Sequence, residues 1–387
     1  LKILHIADEH ANCNFADYLK SLTQIKEYIT KNPVDLIVSA GDLFDSRDFL
    51  DTTSTQILLS FAELSNYAPI FMVYGTPSHD HWGSLDLLPK LAGKYPIKVI
   101  DKVDNNFYHF SGKDSVEVFR ENYIANYGFY LFGVPWLMRS RVLDQEELKL
   151  PIKQQEELFM SKMKAWVKFH KELKTDLLHP TIMVAHLQLK DAVFSKGQDI
   201  SSEYHDPEWF YDTCDYGALG HVHSAQNFKN LYYAGSIYNK SWGEMEKKFF
   251  NVITIENNKI TNIEKVKFDT PLLVKATLNS VEEYEEFKQD WENNNFETED
   301  KKVRLWIQLT VKSKEAFGDD LNYWKKFSNL EELRFGVSEL KGETVIREID
   351  IKPNATLVEK AVGWAETKGL QVTEFQKNKL VELENGN

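Results

Sequence analysis

Lys2-Ile3-Leu4-His5-Ile6-Ala7-Asp8-Glu9-His10 is an apolar run that stops at two carboxylates and an imidazole. A short run of this kind, closed by Asp or Gly, reads as a strand buried on both faces. The pattern recurs along the chain. Leu36-Ile37-Val38-Ser39-Ala40 leads into Gly41-Asp42-Leu43-Phe44-Asp45, and Ile70-Phe71-Met72-Val73-Tyr74 into Gly75-Thr76-Pro77-Ser78-His79-Asp80. Thr181-Ile182-Met183-Val184-Ala185 delivers His186, and Tyr216-Gly217-Ala218-Leu219-Gly220 delivers His221-Val222-His223. Amphipathic stretches from Phe15 to Lys31 and from Thr52 to Asn66 separate the first three runs, as the crossover helices of a parallel sheet do. The fold class is therefore α/β, with its polar residues at strand ends, where open α/β sheets collect ligands.

Those residues suit a pair of divalent cations, which need a shared carboxylate, further carboxylate and imidazole donors, and open positions. Asp8 and His10, two apart on extended chain, point to one side and can share an ion. His221 and His223 repeat that spacing. Asp42 sits where one carboxylate can bridge both ions, and His186 completes the shell of the second ion. Any one of these motifs alone is an ordinary turn or surface histidine; their conjunction, each after a strand, carries the reading. The mixed donor set suits manganese, iron or zinc better than calcium. His5, His109, His170, His179 and His205 read as structural or surface residues.

Through Asp8, His10, Asp42, His79, His186, His221 and His223 the chain resembles the calcineurin-like metallophosphoesterases. Within them it is similar to the SbcD family of DNA repair nucleases, through Gly41 to Asp45, Gly220 to His223, and Tyr233-Ala234-Gly235-Ser236 followed by Ser241-Trp242-Gly243-Glu244. The similarity covers residues 1–268. It implies a four-layer αββα sandwich with a smaller α+β capping domain, and a manganese-dependent DNA exonuclease and endonuclease with two metal ions. Asp8, His10, Asp42 and His223 would hold one ion; Asp42, His186, His221 and a residue of the third motif the other. His79 would act on the leaving group without binding metal, and Asp80, or Asp45, would orient an imidazole. One departure stands out. The family carries Gly-Asn-His in the third motif, whereas here Ser78 takes the asparagine position before His79. Either Ser78 binds the second ion weakly, or Pro77 reshapes the loop so that Ser78 or Thr76 reaches it.

The rest of the chain bounds this expectation. At 387 residues it accommodates two or three domains, and a net charge of -13 argues against a free-standing DNA clamp, so DNA affinity has to be local or supplied by a partner. The lysines from Lys149 to Lys174 share a long helix with interspersed glutamates and read as a solvated face. Cys13 and Cys214 are too few and too far apart for a disulfide framework. No run reaches membrane-span length, and the first apolar segment ends in a candidate ligand rather than a cleavage site, so the expectation is a cytoplasmic protein whose initiator methionine precedes Leu1.

The domains expected are a nuclease domain over 1–268, an α+β cap over 269–352, and a C-terminal helical segment over 353–387. The cap is read as a strand from Leu272 to Leu278, a helix from Ser280 to Asn293, a strand from Val303 to Val311, a helix from Lys314 to Phe327, and strands near Leu333 to Val337 and Val345 to Ile351. Helices from Ala355 to Lys368 and Val372 to Glu384 close the chain. The resemblance adds an SMC-like ATPase of the SbcC type, bound by those last helices, and a homodimer. Tyr127, Phe129, Tyr130, Phe132 and Trp136 read as core, while Trp82 is a candidate DNA contact. A small-molecule phosphodiesterase or phosphatase, and a weakly active scaffold for the ATPase, are the competing functions.

Overall fold

The computed structural model describes residues 1–46, 52–103, 106–110, 116–119, 128–177, 179–198, 200, 204–278, 280–293, 302–309, 321–337 and 377. The strands, in chain order, are β1 (Lys2–Ile6), β2 (Leu36–Ser39), β3 (Ile70–Val73), β4 (Ile97–Ile100), β5 (Phe107–Phe110), β6 (Val116–Phe119), β7 (Phe129–Val134), β8 (Thr181–His186), β9 (Tyr216–Gly220), β10 (Gln226–Phe228), β11 (Leu231–Tyr233), β12 (Phe249–Glu256), β13 (Lys259–Lys267), β14 (Leu272–Leu278), β15 (Val303–Leu309) and β16 (Leu330–Val337). Two mixed sheets dominate, in the orders β13-β12-β1-β2-β3-β4 and β10-β11-β9-β8-β7-β5-β6. The runs read from sequence, β1, β2, β3 and then β8 and β9, are the parallel centres of these sheets.

Alternation along each strand builds the layers. On β1, Leu4 and Ile6 face a core shared with Tyr18, Leu22 and Ile25 of α1 (Phe15–Lys31) and Ile57 and Phe61 of α2 (Thr52–Ala62). Ile3 instead faces the second sheet, in a core with Val38, Phe71, Phe129, Val184 and Ala218. His5, on that same face, lies within hydrogen-bond distance of the Tyr216 hydroxyl (2.9 Å) and the Leu219 carbonyl (3.3 Å), so it is a structural histidine between the sheets. The outer face of the second sheet packs on the helix Ile152–Asp176, with Trp166 and Met163 against Phe132 and Met183. The result is the expected α-β-β-α sandwich. The lysines of that long helix pair with carboxylates, as Lys162 with Glu147 and Lys168 with Glu172, on its solvent face.

β14, β15 and β16 form a separate three-stranded sheet. The helix Val281–Asn293 begins at Ser280, whose hydroxyl accepts the Glu283 N–H, and its Tyr284 and Trp291 are buried with Trp324. Of the helix expected from Lys314 to Phe327, the described part is the turn Leu321–Trp324. The strand near Val345 to Ile351, the helix from Ala355 to Lys368, all of the helix from Val372 to Glu384 except Lys377, and Tyr127 lie outside the described residues. Among the described residues no helix is long and apolar enough to cross a membrane.

Candidate metal centre

β1, β2, β3, β8 and β9 all end at one edge of the sandwich, and the loops that follow are tied by backbone bonds, Asp8 N–H to the Gly41 carbonyl (3.0 Å) and His10 N–H to that of Asp42 (3.0 Å). The backbone there is unusual. Asp8 (φ 53°), His10 (φ 40°), Asp42 (φ 61°) and His221 (φ 96°) are all left-handed, a conformation disfavoured for residues with a Cβ. Such outliers cluster where function over-determines the chain. Gly75 is required for a different reason: a Cβ on it would lie 2.0 Å from Asp42 Oδ1, so only glycine lets the third loop close on that carboxylate.

Three overlapping groups of donors converge: Asp8, His10 and His223; His10, Asp42 and His79; and Asp42, His186 and His221, with the donor atoms of each group within 4.8 Å of one another. Every imidazole read as a ligand has its outer nitrogen engaged. His10 Nδ1 lies 3.2 Å from Asp45 Oδ1, and His223 Nδ1 2.7 Å from Glu244 Oε1. His186 Nδ1 donates to the Ala40 carbonyl (2.6 Å), and His221 Nε2 donates to Gln188 Oε1 (3.1 Å). The partners of His186, His221 and His223 only accept, so each of these rings turns a proton outward, while the His10 contact with Asp45 is one of charge rather than a hydrogen bond.

Polar groups are left over in the interior. His10 Nε2 and His223 Nε2 face each other at 3.0 Å, and Asp8 Oδ2 and His186 Nε2 are buried without a hydrogen-bond partner among the described residues. Two imidazole nitrogens bound about 2.1 Å from one cation at a right angle stand about 3.0 Å apart. The donor set thus fits divalent ions, with Asp42 common to two of the groups.

Electrostatics point the same way. Burial pushes His10 and His221 down to about 3, keeping both neutral. Burial also disfavours a charged His186, yet the Asp42 carboxylate, 3.2 Å from its Nε2, pulls it up to about 9. In the protein without metal a proton thus takes up the positive charge that Asp42 attracts. Burial opposes ionisation of Glu244, and His223 with Lys248 overcome it, holding the carboxyl down at about 2.

The third motif departs from expectation in two ways. Asp80 orients backbone rather than an imidazole: it accepts the N–H groups of Asp42 (2.9 Å), Gly75 (2.8 Å) and Phe44 (3.2 Å), pinning the second loop to the third. The orienting carboxylate for His10 is Asp45. And Thr76, rather than Ser78, meets the central carboxylate, with its N–H 2.6 Å and its hydroxyl 3.0 Å from Asp42 Oδ1. Ser78 is exposed, and among the described residues its hydroxyl reaches Thr76 Oγ1 alone, at 3.4 Å. His79 stands at the rim, its Nδ1 2.5 Å from the Asp45 carbonyl and its ring edge-on to His10.

A cleft of about 530 Å³ opens over these groups, with Trp136, Gln198, Ile200, Lys240 and Ser241 in its walls. Trp136, read as core, is instead half-buried against the His221 ring, 4.8 Å between centroids. Trp82 is 53% exposed, stacks on Tyr74 and does not line the cleft. Sequence reasoning quoted Glu244 without giving it a role, and passed over Gln188, Lys248 and Arg141. Arg141 is buried and donates to the carbonyls of Tyr74 (3.2 Å) and Gly75 (3.3 Å), holding the end of β3.

Comparison with known proteins agrees with this arrangement. The SbcD component of the SbcCD nuclease of Staphylococcus epidermidis is 26% identical over 281 residues, 68% of this chain and 68% of that protein. The protein of the same name from Escherichia coli is 22% identical over 287 residues, covering 69% and 68%. The DNA double-strand break repair protein Mre11 of Methanosarcina mazei is 29% identical over 147 residues, 32% of this chain and 24% of its own length. Residues 1–225, which carry every residue of the candidate centre except Lys240, Ser241, Glu244 and Lys248, match the calcineurin-like phosphoesterase family, and the chain belongs to that family.

Proposed function

We propose that the chain is a metal-dependent DNA nuclease that hydrolyses phosphodiester bonds at this centre, the nuclease subunit of a complex like the one its SbcCD relatives are named for. The observation that carries the reading is the inward convergence of four buried imidazoles and two buried carboxylates beneath an open cleft. Asp8, His10, His223 and Asp42 would hold one ion; Asp42, His186 and His221 the other, with Thr76 or Ser78 as the remaining oxygen donor. Bound there, the two ions would polarise the phosphoryl group and activate water. Manganese is the ion we favour, since imidazole with carboxylate suits it and family resemblance points to it.

The residues around the ions divide the remaining work. Asp45 and Glu244 fix the His10 and His223 rings, and Asp80 fixes the backbone of the loops. His79 donates from Nδ1 to the Asp45 carbonyl, which leaves Nε2 as the atom that would carry a second proton and, in the imidazolium form, pass it to the leaving oxygen at the cleft rim and return to the neutral ring. Residues 269–352 would form the DNA-selecting cap and 353–387 the contact to an SMC-like ATPase, with a homodimer as the working assembly.

Cleavage of end-labelled duplex and single-stranded DNA in manganese, with His79→Ala in parallel, tests the proposal. Degradation lost in the variant supports it. Hydrolysis of a small diester with DNA left intact would transfer the site to a small-molecule phosphodiesterase, and tight ATPase binding without cleavage of either substrate would make the chain a scaffold.

A further inference from the structure

Two lysines stand behind the facing imidazoles, each through one carboxylate: Lys248 behind Glu244 and His223, Lys240 behind Asp45 and His10. They are not equivalent. The Lys248 side chain is fully buried, and its ammonium donates to Glu244 Oε2 (2.6 Å), Glu246 Oε1 (2.8 Å) and Ser236 Oγ (2.8 Å), with the His223 carbonyl a fourth acceptor at 3.3 Å, so its three N–H groups are all taken. It is a structural cation. The Lys240 side chain is 23% exposed, lines the cleft, and among the described residues pairs with one carboxylate, Asp45, Nζ to Oδ1 2.5 Å. No other described residue takes up its ammonium. Its backbone is anchored, with its N–H to Glu244 Oε2 and its carbonyl accepting from Cys13 Sγ, so the flexible side chain can change partner while the loop stays put.

Charge gives that spare capacity a purpose. Among the described residues lining the cleft, Asp42, Asp45 and Glu244 are carboxylates and Lys240 is the only lysine or arginine. A chain of net charge -13 that takes a polyanion needs its cations at the point of contact. We propose that Lys240 is a substrate-binding residue, whose ammonium exchanges Asp45 for a non-bridging oxygen of the phosphate beside the scissile one. Asp45 lies between Lys240 and His10, which sets the ammonium one carboxylate further out than the ion-binding imidazole, at a neighbouring phosphate rather than the reacting one. The inference rests on the nuclease reading above and specifies how this site recognises a strand rather than an isolated diester.

The test compares wild type, Lys240→Gln and Lys240→Arg on an oligonucleotide duplex and on bis(4-nitrophenyl) phosphate, which has a single phosphate, in manganese over a range of salt. We expect Lys240→Gln to raise KM for DNA about tenfold, the scale of a lost charge-assisted hydrogen bond, with kcat changing far less. The ratio of kcat/KM for DNA to that for the small diester falls about tenfold, and the salt dependence for DNA flattens by about 0.9 in the log–log slope. Lys240→Arg keeps the charge and recovers most of the ratio. Equal losses on both substrates, concentrated in kcat, would mean that Lys240 acts only through Asp45 on His10, and would overturn the proposal. So would an unchanged ratio in a wild type that cleaves DNA. A wild type that hydrolyses only the small diester would overturn the nuclease reading along with it.

Discussion

His10 Nε2 and His223 Nε2 approach to 3.0 Å, with the Asp45 carboxylate behind one ring and that of Glu244 behind the other. A cation between the two nitrogens would take a lone pair from each ring, and a carboxylate behind a ring makes it the stronger donor. Removing the charge behind one ring should therefore loosen the ion in front of it. Glu244→Gln is expected to weaken metal affinity about 10-fold to 100-fold, the usual scale for such partners. Titration calorimetry of the metal-free protein with manganese reads this directly; unchanged affinity would show that Glu244 serves only Lys248.

The two hydroxyls of the third loop make different predictions. Thr76→Ala removes the hydroxyl on Asp42 and should lower retention of one of two ions, whereas Ser78→Ala, exposed and one hydroxyl further away, should leave the metal content near wild type. Elemental analysis after dialysis at graded manganese separates them. The reverse order would return the asparagine position to Ser78.

In the metal-free protein, His186 gives stability a pH dependence. Its folded pKa, about 9, lies above the unfolded value of 6.5, so the contribution is complete below pH 6.5 and is lost as pH rises through 9. The ceiling is about 3 kcal/mol. Thermal unfolding in chelator should show Tm declining across that window. Saturating metal, which takes the proton's place, should flatten the decline, and so should His186→Gln.

His170, on the long helix over the outer face of the second sheet, has both ring nitrogens buried and without a partner among the described residues, its ring 4.1 Å from that of Phe132 and 4.3 Å from that of Trp166. Burial pushes it down to about 3, so it stays neutral there. An imidazole denied hydrogen bonds costs about 1–3 kcal/mol. His170→Phe, which keeps a flat ring, is expected to raise stability to chemical denaturation by about 1 kcal/mol. A fall would mean that the larger ring strains the packing against Trp166.

Gly75→Ala tests the architecture itself. The added methyl would meet Asp42 Oδ1 at 2.0 Å and its amide nitrogen at 2.3 Å, and neither can retreat without breaking the loop. We expect loss of metal binding with a far-UV spectrum close to wild type.

How much of this was legible in the sequence follows from the physics of each residue. Strands such as β2 and β9 are buried on both faces, so their apolar runs are unbroken and their ends unmistakable, and the donors at those ends could be named before any coordinates. β5 and β6 went unread because an edge hairpin has no such run. The partners of the donors were harder still. Glu244 meets His223 across 21 residues, and Asp80 meets Asp42 across 38, distances over which the sequence carries no pairing signal. Thr76 stood only as an alternative to Ser78, because counting back from His79 favours Ser78, whereas the turn after β3 brings the residue next to Gly75 onto Asp42. Trp136 looked like core because it follows an apolar strand, and only the end of that strand at the cleft makes it a wall.

The left-handed backbone at Asp8, His10, Asp42 and His221 sets the interests of the fold against those of the chemistry. At each of these α-carbons glycine would be more comfortable than the residue present. Inactive versions of this chain, with glycine at one of these positions, could therefore melt above the working enzyme. A laboratory selection for thermal resistance alone would tend to erase the centre, and one imposed on this protein has to screen for metal uptake at every round.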